Sequence, residues 1–246
     1  MSPATIALLG IAGLWAGAQN ALAGGGSFIT IPALMLAGLD ARAANITSSV
    51  ALYPGQVTTG IAGRRLIAGA PVLSFAAMCA IGAIGGGIGA LLLLLTPAAT
   101  FESLLPWLVL FATMMFAWSA FGRAGTQGRA PTWFAMLLQG AISVYGGYFG
   151  GGLGFMMVAS LTLIGLSSRP ASATKNALAA VINTTSLAVF LFSPSLVWIP
   201  AALLAGGAII GGFVGAWALR RIPERALRIV IVGIGTLLTI GLFIRH

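Results

Sequence analysis

Two glycine clusters, Gly24-Gly25-Gly26-Ser27 and Gly150-Gly151-Gly152-Leu153-Gly154, each sit between two apolar segments of the 246-residue chain. If a helix follows each cluster, its first backbone N–H groups have no helical acceptor. Glycine leaves those groups uncovered, and the helix N-terminus adds partial positive charge, so such a tip is suited to holding an anion. The competing reading is close helix packing, for which membrane helices often use glycine. That reading better suits Gly85-Gly86-Gly87 and Gly211-Gly212, which lie inside longer apolar runs. A second set of polar residues opens two other segments: Asn45-Ile46-Thr47-Ser48-Ser49 and Ser172-Ala173-Thr174-Lys175-Asn176. The first member of each could cap a helix. Thr47, Ser48, Thr174 and Lys175 lie beyond a cap, where a polar group needs a partner or lines a cavity. Lys175 is the only lysine of the chain; it either contacts an anion or snorkels to the surface. Deeper in the apolar runs lie Gln19, Asn20, Tyr53, Gln56, Gln139, Tyr145, Tyr148 and Asn183. These either line a site or bridge helices.

The same inventory argues against catalysis. The single histidine is His246, the single cysteine is Cys79, and the acids are Asp40, Glu102 and Glu224. A metal site needs several His, Cys or carboxylate ligands, and a serine nucleophile needs a base beside it. Neither can be assembled inside the apolar runs, so neither an enzyme, nor a cofactor, nor a metal centre is expected.

The elements that must position these residues are membrane spans. The chain is 59% hydrophobic and 6% charged, with a mean hydropathy of +1.06. A soluble domain carries about 25% charged residues, so the soluble classes, nucleic-acid binders included, are excluded. Ten apolar segments are read at about 3–23, 27–38, 44–62, 70–95, 101–121, 131–148, 152–166, 171–192, 196–218 and 226–244. The second and seventh are short for a full crossing, which takes about 20 residues, and each follows a glycine cluster. Residues 1–20 hold no Lys or Arg, so a cleaved signal peptide is not expected. Trp107, Trp133 and Trp198 near segment ends read as interfacial anchors.

A duplication organises these segments. Shifted by 127, residues 24–59 lie on 151–186 without a gap and share 11 identities, among them Gly25/Gly152, Phe28/Phe155, Gly38/Gly165, Arg42/Arg169 and Thr47/Thr174. This composition gives roughly three by chance. At a shift of 126, Gly85, Gly86 and Gly89 meet Gly211, Gly212 and Gly215. Gln56 and Asn183 are also equivalent positions. The charges of equivalent loops are opposed: Arg64 and Arg65 follow the third segment, and no base stands at Ser193–Ser195. Only Glu102 follows the fourth segment, whereas Arg220, Arg221, Arg225 and Arg228 follow the ninth. Opposed bias marks inverted repeats, roughly 1–122 and 128–246. Placing Arg64, Arg65, Arg123, Arg129, Arg169, Lys175 and the 220–228 cluster inside puts both termini outside, with Arg42 and Arg245 as exceptions.

The run Gly-Gly-Gly-Ser-Phe-Ile-Thr-Ile-Pro-Ala-Leu at 24–34, followed by Ala44-Asn45-Ile46-Thr47-Ser48, resembles the TauE/SafE family of anion exporters. Gly-Gly-Gly-Leu-Gly-Phe at 150–155, with Ala173-Thr174-Lys175-Asn176, is similar to that family's second half. The resemblance covers nearly the whole chain. It implies a bacterial inner-membrane carrier for sulfite, sulfoacetate or a related organosulfur anion.

The expected fold is therefore a single all-α membrane domain, a polytopic bundle of two inverted repeats with eight to ten segments and paired broken or re-entrant helices at the glycine clusters. The expected activity is secondary export of a small anion by alternating access, with an anion channel as the alternative. Its expected site comprises Gly24, Gly25, Gly26, Ser27, Asn45, Thr47, Ser48, Tyr148, Gly150, Gly151, Gly152, Thr174, Lys175 and Asn176. The expected partners are a small anionic substrate and the lipid bilayer; a homo-oligomer is left open.

Overall fold

The structure is a computed structural model that describes residues 1–22, 25–62, 64–121, 130–218 and 224–245. Among the described residues there are ten α-helices and no strand: α1 (Pro3–Leu22), α2 (Ser27–Leu36), α3 (Ala41–Ala62), α4 (Phe75–Leu95), α5 (Ala98–Phe121), α6 (Thr132–Tyr148), α7 (Leu153–Leu163), α8 (Ser168–Phe190), α9 (Trp198–Ala218) and α10 (Glu224–Arg245). Each expected segment carries one helix. Both short segments are helices of ten and eleven residues.

The helix starts differ where side-chain chemistry overrides hydropathy. α3 begins three residues before the apolar run, because Asp40 accepts a hydrogen bond from the Ala43 amide at 2.9 Å and caps the first turn. α4 begins at Phe75 rather than at residue 70. Ala70 and Leu73 exchange backbone hydrogen bonds across a tight turn holding Pro71, and Ser74 caps the helix by accepting from the Ala77 amide at 3.2 Å. Trp133 and Trp198 do sit at helix starts. Trp107 instead lies well inside α5, its ring edge-on to Phe243 of α10 at 5.1 Å.

Glycine sets the closest helix contacts. A side chain on Gly17 would lie 2.0 Å from the Ala208 carbonyl, and one on Gly211 1.8 Å from the Leu14 carbonyl, so α1 and α9 touch backbone to backbone. α4 and α6 do the same: a side chain on Gly89 would lie 2.1 Å from Val144 O, and one on Gly147 2.1 Å from Gly86 O. Without competing water, close backbone approach of this kind is how membrane helices gain packing energy. In each pair, moving four residues along one helix moves the contact four along the other, so α1 runs parallel to α9.

Loop contacts fix the remaining directions. The first turns of α3 hold the segment after α8: Arg42 donates to Thr96 O at the end of α4 (2.9 Å) and to Ser195 Oγ (3.3 Å). Thr47 Oγ1 accepts from the Val197 amide at 3.3 Å. At the other end of the molecule, Thr174 of α8 exchanges hydrogen bonds with both backbone groups of Ala68, at 3.0 and 3.1 Å. α3 and α8 therefore run in opposite directions, as do α4 and α9. The end with Ala68 carries Arg64, Arg65 and Arg169. Arg123, Arg129, Arg220, Arg221 and His246 lie outside the described residues.

The core falls in two main parts, with a third, small cluster of Ala16, Leu52 and Ala208. Phe28, Leu34, Phe101, Phe149 and Phe190 centre one, and Met78, Met157, Leu161, Leu178 and Ile182 the other. Outside them, Trp15, Leu36, Leu95, Trp118, Phe192 and Phe213 stand exposed, an apolar exterior that suits lipid rather than water.

Candidate functional site

Between the two core regions lies a cleft of about 560 Å³, counting the part open at its mouth. Two helix N-termini reach it. Ser27, the first residue of α2, lines it, and so does Gly154, its equivalent in α7. Neither the Ser27 nor the Gly154 amide has an acceptor among the described residues. Positive potential from both helix starts is thus directed into one space.

The loops before these helices are built alike. Gly25 has φ +81° and its equivalent Gly152 has φ +78°. That left-handed conformation is readily open only to glycine, which explains why glycine stands at both places. Each loop is braced by side chains of the preceding helix. At the first, Gln19 Nε2 donates to Gly25 O (3.2 Å), and Asn20 Oδ1 accepts from the Gly26 amide (2.8 Å). At the second, the Tyr145 hydroxyl donates to Gly151 O at 2.9 Å. Gly24 lies outside the described residues.

Lys175 supplies the only ammonium side chain in the wall. It is half-buried, and its stem lies across the N-terminus of α7, Cδ being 3.3 Å from where a Gly154 side chain would begin. None of the three acids lines the cleft. The remaining polar wall is Asn20, Gln56, Asn176 and Asn183. Asn183 Nδ2 donates to Gln56 Oε1, so the two equivalent positions meet face to face. Leu153 and Ala179 add apolar surface. The result is a small chamber rich in neutral donors, with one cation and no carboxylate.

Of the expected site residues, Gly25, Ser27, Gly150, Lys175 and Asn176 line this cleft. Gly26, Gly151 and Gly152 belong to the loops that shape it. Others lie elsewhere. Thr47 and Thr174 are wholly buried against the loops described above. Ser48 is buried in a hydrogen bond with Thr30 Oγ1. Asn45 is buried against the end of α6, and the Tyr148 hydroxyl donates to Thr96 Oγ1 at 3.3 Å. Asn20, Gln56 and Asn183 are wall residues that the expected set omitted. The shift of 127 did single out the last two.

Residues 9–242 match the family described as Sulfite exporter TauE/SafE. The chain belongs to the TauE/SafE family. Among curated relatives, it is 32% identical over 216 residues to "Probable membrane transporter protein ORF9" of a Sinorhizobium species, covering 86% of this chain and 82% of that protein. It is 26% identical over 240 residues to a "Probable membrane transporter protein" of Haemophilus influenzae, covering 95% and 92%. "Probable membrane transporter protein YfcA" of Escherichia coli is 27% identical over 239 residues, covering 94% and 87%. No solved structure matches the chain. As a TauE/SafE protein it is a helical membrane protein of a transporter family.

Proposed function

We propose that this TauE/SafE protein is a secondary carrier that exports a small anion, sulfite, sulfoacetate or a related organosulfur compound, by alternating access. One observation carries the reading: the N-termini of α2 and α7 and the Lys175 side chain converge on a single cleft that no acid lines. Helix starts and an ammonium favour negative charge. The neutral donors of Asn20, Ser27, Asn176 and Asn183 suit the several oxygens of a sulfonate or sulfite. The family description names sulfite; sulfoacetate and related organosulfur anions carry the same kind of sulfur oxyanion group.

The alternating-access part rests on two inverted repeats, 1–122 and 128–246. Several pairings support them. α1 packs on α9 as α6 packs on α4. Thr47 holds the loop of the second half, and Thr174 holds the loop of the first. The turns after α2 and α7 both place glycine at positive φ, Gly38 and Gly165. Equivalent helices α3 and α8 run oppositely. Inverted repeats allow one half to rock against the other around a fixed site. In the bacterial inner membrane the end carrying Arg64, Arg65 and Arg169 would face the cytoplasm, and both termini the periplasm.

The test is binding of sulfite, sulfoacetate, taurine and sulfate to the purified protein, followed by counterflow of labelled ligand in liposomes. Saturable binding of an anion and saturable counterflow are expected. No binding by any anion overturns the anion reading; flux that never saturates points to a channel and overturns the carrier.

A further inference from the structure

The end of α6 leaves backbone oxygens without amide partners. The Phe149 and Gly150 amides both donate to Tyr145 O, at 2.9 and 3.4 Å. Among the described residues no amide reaches Gly146 O or Gly147 O. These carbonyls point out of a helix C-terminus, which carries partial negative charge.

α3 closes this end. Asn45 is 1% exposed, and its Nδ2 donates to Tyr148 O at 3.0 Å. The other atom of the same amide, Asn45 Oδ1, is buried and accepts from no described donor. A buried acceptor left in that state is costly and calls for a positively charged or donating partner. One turn on, Ser49 Oγ donates to Asn45 O at 2.9 Å, which leaves its lone pairs facing outward from that bond. Gly150 keeps the space open. A side chain there would lie 3.5 Å from Gly146 O and 3.9 Å from Ser49 Oγ, so both oxygens border the volume a Cβ would fill.

We propose that Asn45 Oδ1, Ser49 Oγ and the free carbonyl of Gly146, at the broken end of α6, bind a monovalent cation of the sodium class. Every ligand is a neutral oxygen, and none of the chain's three acids belongs to the set. Calcium and magnesium sites are built with carboxylates, so a divalent ion is not expected. Unwound carbonyls and helix C-terminal ends are general means of holding such an ion in a membrane. Gly150 also lines the cleft. The cation therefore sits beside the chamber, where it attracts an anion and is itself held more tightly by one, as linkage requires.

The test uses the purified full chain without any anionic substrate. Radioactive sodium is dialysed to equilibrium against it, with choline chloride holding ionic strength constant. Saturable binding of one ion per chain is expected. Asn45→Ala removes the Oδ1 ligand together with the contact to Tyr148 and should weaken binding by about ten-fold or more. Ser49→Ala, which leaves the Asn45 contact to Tyr148 intact, should weaken it by about ten-fold. The proposal is overturned if the wild type shows no saturable sodium binding, or if both variants bind sodium as the wild type does. Lys175 and the anion play no part in this assay, so failure of the anion reading would leave its outcome untouched.

Discussion

At the scale of single residues, Lys175 is the decisive test of the cleft. Its ammonium is the only side-chain cation in a wall of neutral donors. Lys175→Ala should weaken anion binding by about 1.5–3 kcal/mol, the range for a hydrogen bond to a charged group, or about ten- to a hundred-fold in Kd. Lys175→Arg should restore only part, because a planar fork does not replace a compact ammonium. Titration calorimetry of the purified variants measures both; unchanged affinity in Lys175→Ala would mean that the ammonium only reaches toward the surface. Ser48→Ala is the comparison. Ser48 sits one position from Thr47 in the same buried stretch and bonds Thr30, so its loss should leave anion affinity within about two-fold and act on stability instead, by about 0.5–1.5 kcal/mol. The sequence could name Lys175, Asn176, Ser27 and the glycines, because their types alone suggest an anion. It could not separate Lys175 from Thr174 or Ser48. Which face of α3 or α8 meets the cleft depends on the rotation of the helix, and neither sequence marks it, because polar residues crowd adjacent positions: Asn45, Thr47, Ser48 and Ser49 in α3, and Thr174, Lys175 and Asn176 in α8.

The elements divide into glycines that admit a helix and glycines that shape a loop. Gly86 and Gly89 receive carbonyls and side chains of α6 and α8, whereas Gly87, on the same helix, meets nothing within 4 Å. Gly87→Ala should therefore raise thermal stability by about 0.5–1 kcal/mol, the helix-propensity gain. Gly89→Ala should lower it by about 1–3 kcal/mol through overpacking. Thermal unfolding in detergent ranks the two, and equal midpoints would contradict the backbone contact. Gly152→Ala is strained twice, by φ +78° and by Ala112 Cβ 2.8 Å away. It should cost about 1–2 kcal/mol and cut anion binding more than its effect on folding explains. Hydropathy made eight of the ten helices legible by length alone, and the glycine clusters before them marked the two short ones, α2 and α7. It missed the starts of α5 and α8 by three residues each, and those of α3 and α4 by three and five. There an arginine and a proline carry opposite meanings: Arg42 is polar yet helical because Asp40 caps the turn, and Pro71 lies in an apolar stretch yet opens a turn.

For the whole molecule, the ties at the two ends are the parts that the proposed alternating access would have to break in turn. Thr174→Val keeps the shape of the side chain and removes both hydrogen bonds to Ala68, a loss of about 1–3 kcal/mol on that end. In a Cys79→Ala background with Asn183→Cys in the cleft wall, an impermeant maleimide should label Thr174→Val faster from the basic end. Identical rates from both ends would mean that the tie does not hold that end shut. Topology is checked with reporter fusions at His246 and between Arg123 and Arg129, expected to read periplasm and cytoplasm. The pairing of α1 with α9 also governs how the chain is made. Gly13 of α1 rests on Leu204, synthesised about 190 residues later, which at about 5–20 residues per second is about 10–40 s of translation. Throughout that interval the face of α1 that holds Gly13 and Gly17 lacks its partner, so α1 is joined to α2 and α3 long before its closest contact, with α9, can form.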